Sequence, residues 1–129
     1  MRPTPTLTIT DYNILRELVK SEKDATNIRE IALLTQELDR AIVNKEDVFD
    51  ESIVRIKSRV TVEDLTTKQQ MKIQIVMPSQ SNIKEGKVSI LAPICVAIIG
   101  FKENDEVEWQ LPSGIKTLKI IAVANTASN

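Results

Sequence analysis

The 129-residue chain, 42% apolar and 27% charged, is long enough for one hydrophobic core with an appendage and too short for two large domains. Its 17 basic and 18 acidic residues leave a net charge of −1, which gives no footing for binding nucleic acid by bulk phosphate neutralisation. The lack of His removes the usual neutral-pH general base and the commonest metal ligand, so neither a metal nor a cofactor is expected and any catalysis would fall to Asp, Glu, Lys or Ser.

The leader MRPTPTLTIT reads as extended, because Pro3 and Pro5 stand among threonines with no room for a helix. It lacks the apolar core of a signal peptide, and no run in the chain approaches the ~20 apolar residues of a membrane span, so a cytoplasmic protein is expected. Thr10 is placed to cap a first helix, with Asp11 at the positive end of its dipole. Ile14, Leu15, Leu18 and Val19 share one face of that helix, which runs to about Glu22.

The polar stretch 21–26 predicts a turn. Asn27 with Glu30 resembles a capping box, and the second helix carries Ile28, Ile31, Leu34 or Thr35, Leu38 and Ala41 or Ile42 at a spacing suited to a partner helix. Each helix is marginal on its own, so a hairpin docked on the rest of the chain is predicted. The charged connector 44–50 then supplies a boundary: residues 1–46 form the leader and short helical hairpin, and residues 47–129 form the second domain.

From Ile53 the chain alternates, with Val54, Ile56, Ser58, Val60 and Val62 on the apolar side, which predicts a long strand. Thr66 to Lys68 turn the chain into a second alternating strand around Met71, Ile73 and Ile75. The stretch 89–123 organises the remainder: a strand over Val88–Leu91, a short helix over Pro93–Ile99 stopped by Gly100, and strands over Glu106–Leu111 and Ile115–Val123 around Gly114. An antiparallel sheet of about five strands results. Cys95, within ICVAII, reads as a buried small hydrophobe, and Trp109, alternating with Val107 and Leu111, as a core residue.

Several residue groups in this order carry a resemblance. They are Glu37-Leu38-Asp39-Arg40-Ala41, Ser58-Arg59-Val60, Ala92-Pro93 with Ala97 and Gly100, and Trp109-Gln110-Leu111-Pro112-Ser113-Gly114. In combination they resemble the Gre-type transcription elongation factors, and most closely the short Rnk branch, the regulators of nucleoside diphosphate kinase.

The resemblance implies an α+β fold in which an N-terminal antiparallel two-helix coiled-coil hairpin precedes an FKBP-like antiparallel β-sheet domain with one short helix. It also implies a non-enzymatic regulator of bacterial RNA polymerase that docks at the rim of the secondary channel in competition with Gre factors, without strong nucleic-acid affinity of its own. The positions matching the family's polymerase contact are Leu91, Ala92 and Pro93, and the hairpin-tip acids are Glu22 and Asp24. Helices of about 12 residues rise only ~18 Å, so these acids are read as a solvated turn and transcript cleavage is not expected. The competing expectations are an interaction module for another cytoplasmic partner and, by fold analogy alone, a peptidyl-prolyl isomerase.

Overall fold

The computed structural model describes residues 4–21, 28–44, 51–111 and 113–125. Strand β1 (Thr6–Thr8) leads into helix α1 (Ile9–Ser21), followed by α2 (Ile28–Arg40) and strand β2 (Ile42–Asn44). The larger sheet is built from β3 (Arg59–Asp64), β4 (Gln70–Val76), β5 (Lys87–Ser89), β6 (Glu106–Leu111) and β7 (Gly114–Ala124), with α3 (Pro93–Ile98) between β5 and β6.

The five strands lie in the order β5-β4-β3-β7-β6. The β3–β4, β3–β7 and β6–β7 pairs are antiparallel, as the alternation predicts, but β5 runs parallel to β4 with Gln74 opposite Lys87. Two 3-10 turns, Pro78–Gln80 and Ile83–Glu85, give the chain the length to return in the same direction. A second, two-stranded sheet is also parallel, with Thr6 opposite Ile42 and Thr8 opposite Asn44. The sheet expected to be antiparallel throughout is therefore mixed.

The regular β3 strand starts at Arg59, later than the alternation suggests. Upstream of it the backbone bonds elsewhere: Val54 N–H donates to Phe101 O (2.8 Å), Gly100 N–H donates to Val54 O (3.0 Å), and Lys57 takes a φ of 78°. The burial alternation survives the bend, with Val54, Ser58, Val60 and Val62 all at 2% exposure or less. The β3–β4 turn is an Asx turn in which the Asp64 carboxylate accepts the N–H groups of Thr66 (2.9 Å) and Thr67 (3.4 Å).

The first helix begins earlier than expected, because its cap is Thr8. The Thr8 hydroxyl oxygen accepts the N–H of Asp11 at 3.2 Å, which satisfies a donor the helix leaves open. On α1, Leu15 and Leu18 are buried while Ile14 remains exposed; on α2, Leu34 and Leu38 are buried, and Ile28 is exposed. Ile42, read as a continuation of the α2 face, belongs to β2, where its N–H donates to Pro5 O at 2.9 Å.

The expected boundary between residues 46 and 47 lies outside the described residues. One apolar cluster joins Leu15, Leu34 and Leu38 to Val60 and Ile120 of the sheet, to Ile98 of α3, and to Val54 and Phe101 in the segments that precede β3 and follow α3. Among the described residues no helix is long and apolar enough to cross a membrane.

Candidate docking turn and its supports

The turn between β5 and α3 holds the residues singled out as a contact surface. Ile90 N–H donates to Val76 O at 2.8 Å, extending the β4–β5 pairing by one bond. Ser89 then reverses the chain twice over: its hydroxyl accepts Leu91 N–H (3.1 Å) and its carbonyl accepts Ala92 N–H (2.8 Å). Ala92 adopts an extended conformation (φ −66°, ψ 145°) as the helix cap, and Pro93 takes the first helical position, where its missing N–H costs nothing.

These three residues divide by exposure. Leu91 is 4% exposed and belongs to the core, so it anchors the turn from beneath, whereas Ala92 and Pro93 are half-buried and supply the surface. The knuckle is apolar, carries no titratable group, and rests on the buried face of α3 formed by Ile94, Cys95, Val96 and Ile98. Such a surface is suited to contact with a partner.

Gly100 closes the other end of the helix with a φ of +84°. Its carbonyl accepts Thr6 N–H at 2.8 Å, and a Cβ at this position would lie 2.8 Å from Pro5 Cβ. The leader strand is thus laid directly across the end of α3.

The Cys95 thiol is fully buried, 3.8 Å from Val88 O, and burial pushes its pKa up to about 12. A protonated thiol is neither a nucleophile nor a metal ligand. Among the described residues no group of three His, Cys, Asp or Glu side chains is placed to hold a metal ion. Glu22 and Asp24 lie outside the described residues.

Sequence reasoning missed a polar network that joins the start of α1, the segment entering β3 and Asn125. Arg55 donates from Nε and Nη2 to the two oxygens of Asp11, both at 3.1 Å, and Ile56 N–H reaches the same carboxylate at 3.4 Å. Arg55 N–H donates to the Ser58 hydroxyl (2.7 Å), which bonds to Asn125, and Asn125 Nδ2 donates to the carbonyls of Glu51 and Ile53, both at 2.8 Å. The available signal was Ser58 itself, a hydroxyl on the apolar side of an alternating run, which must find a partner when buried.

The remaining motif residues also have structural work. Glu37 is buried and pairs with Arg40 (3.0 Å), while Asp39 bridges α2 to α1 through Arg16 (2.7 Å). The hydrogen bonds from Arg16 to Asp39 and then to Tyr12 hold the guanidinium pKa above its usual value. Trp109 packs against the core, and among the described residues its buried indole N–H has no partner.

The family described as "Transcription elongation factor, GreA/GreB, C-term" matches residues 50–125. Transcription elongation factor GreA of Neisseria meningitidis is 37% identical over 82 residues, covering 64% of this chain and 52% of the relative. This chain therefore spans about half the length of that relative. The regulator of nucleoside diphosphate kinase of Escherichia coli is 29% identical over 114 residues, covering 88% of this chain and 84% of that protein. A solved transcription elongation factor GreA/GreB from Nitrosomonas europaea superposes with a TM-score of 0.73 at 25% identity, over 96% of this chain and all of the other. The matched span takes in the β3–β4 hairpin, the β5–α3 turn, α3 and the β6–β7 hairpin, and on that ground the chain belongs to the GreA/GreB C-terminal family of transcription elongation factors.

Proposed function

We propose that this chain is a cytoplasmic, non-enzymatic transcription regulator that binds bacterial RNA polymerase at the rim of the secondary channel. In this reading the sheet with α3 is an FKBP-like docking domain, and α1 and α2 form a short coiled-coil hairpin directed into the channel. The observation that carries the reading is the Ala92–Pro93 knuckle, apolar and held on a buried anchor at the positions that resemble the family's polymerase contact.

Cleavage of backtracked RNA is not part of the proposal. Magnesium needs oxygen ligands brought to the catalytic centre, and the helices that would carry Glu22 and Asp24 are 13 residues each, rising about 20 Å. The arm that occupies the channel entrance is too short to deliver its acids deep within it. Competition with Gre factors for the same rim follows.

The test is binding of the purified chain to its own core RNA polymerase, repeated with a Gre factor as competitor and followed by a transcript-cleavage assay. Competed binding with no stimulated cleavage is expected. Failure to bind at micromolar concentrations would overturn the reading. A direct action on nucleoside diphosphate kinase is the second reading, favoured by the name of the Escherichia coli relative, and the same preparation tests it by kinase assay with and without the chain.

A further inference from the structure

A groove of about 620 Å³ crosses β3, β4 and β7 and reaches the start of β5. Val60 and Val62 fill the core side of β3, so the groove lies on the opposite face, where Arg59 stands across from Gln74 on one side and Ala124 on the other. Ala122 and Ala124 leave a depression where longer side chains would level the sheet. Arg59 and Lys72 are exposed, and neither forms an ion pair among the described residues; Lys87 is held by Glu85 at 3.2 Å. The groove thus carries three cations against one lining acid, Glu85, which Lys87 already engages, on a protein whose net charge is −1.

The spacing of these cations selects a ligand geometry. Lys72 lies two residues from Gln74, the direct partner of Arg59, so Arg59 and Lys72 are diagonal neighbours about 7–8 Å apart, with their Cβ atoms somewhat closer. Alternate side chains of an extended peptide repeat every ~6.6 Å. Acids at every second position of such a peptide therefore meet both cations.

Other occupants fit less well. No aromatic side chain lines the groove, so bases would find no stacking platform, and the negative total opposes a long polyanion. The apolar lining, Ile73 and Val123 with the two alanines, is interrupted by Arg59, Lys72, Lys87 and Glu85, unlike the charge-depleted core of a stable dimer interface.

We propose that this groove docks an acidic protein segment in extended conformation, with alternate carboxylates on Arg59 and Lys72. It uses none of residues 91–93, so it constitutes a second contact surface whatever the partner of the turn proves to be.

The test is fluorescence anisotropy of a labelled peptide of alternating Glu and Ser titrated with the full chain at low salt. A Lys-for-Glu peptide and an oligothymidylate of equal charge serve as comparators. Saturable binding of the acidic peptide alone is expected, weakened about tenfold or more by Arg59→Glu, weakened likewise by Ala124→Leu, which fills the groove without changing charge, and unchanged by Lys20→Glu on α1. Circular dichroism checks that each variant is folded. Absence of saturable binding, tighter binding of the oligonucleotide, or indifference to either groove substitution would overturn the proposal.

Discussion

Arg55 grips Asp11 across 44 residues of chain, with Nε and Nη2 each 3.1 Å from a different carboxylate oxygen. The pair joins the first turn of α1 to the segment entering β3, and its side chains are only 25% and 5% exposed. Asp11 also sits where the helix dipole favours a negative charge. Removing one partner strands the other away from water, so Asp11→Ala is expected to cost about 3 kcal/mol in urea unfolding. The double variant Asp11→Ala with Arg55→Met should cost clearly less than the sum of the single losses. Additive losses would mean the two groups do not support each other.

Gly100 answers to two demands at once, a positive φ and the approach of Pro5. Gly100→Ala should therefore destabilise the chain by about 2 kcal/mol or more. Pairing it with Pro5→Gly removes the 2.8 Å clash but not the backbone strain, so the double variant should recover only part of the loss. Full recovery would assign the whole effect to the clash, and no initial loss would mean the leader does not lie across α3 in solution.

The buried Cys95 thiol gives stability a specific alkaline limit. Its folded pKa, about 12, lies above that of an exposed thiol, so the native state holds the proton more tightly. The resulting stabilisation is complete below about pH 8.5 and is lost as pH rises through the folded value. Comparison with Cys95→Ala isolates the thiol. The variant should be less stable at pH 7 yet lose less between pH 9 and 11. Parallel pH profiles for the two proteins would refute the assignment, as would rapid modification of the native thiol by a disulfide reagent at pH 7.

What could be read from the sequence was local. Pro93 at the helix start, Gly100 after its end and the positive φ of Gly114 follow from residue chemistry within a few positions, and the structure has all three. Val60 and Val62 fall on the buried side because a period of two survives over a six-residue strand. The β1–β2 pair was illegible, since three residues are too few for a period and Ile42 also continued the spacing of α2. Parallel pairing of β5 depends on two intervening 3-10 turns, and the Arg55–Asp11 contact on residues far apart in sequence; neither leaves a local signature. Within the candidate site, Leu91, Ala92 and Pro93 are all apolar, so only the packed fold separates the anchor from the surface.

That separation makes the candidate docking turn testable by three parallel substitutions. Leu91→Asp buries a charge at a position 4% exposed, and should cost about 3 kcal/mol or more and impair folding itself. Pro93→Asp stands at the first position of α3, where a carboxylate suits the helix dipole, so stability should change by no more than about 1 kcal/mol. Ala92→Asp places a charge on the half-buried helix cap, where Asp is a favoured residue. If the knuckle is the polymerase contact, the Ala92 and Pro93 variants should retain the native circular dichroism spectrum and lose polymerase binding by about tenfold or more, as expected when a charge enters an apolar contact. Native-like folding with undiminished binding in both would remove the turn from the interface, while loss of folding in the Pro93 variant would show that this proline holds the helix and does not merely begin it.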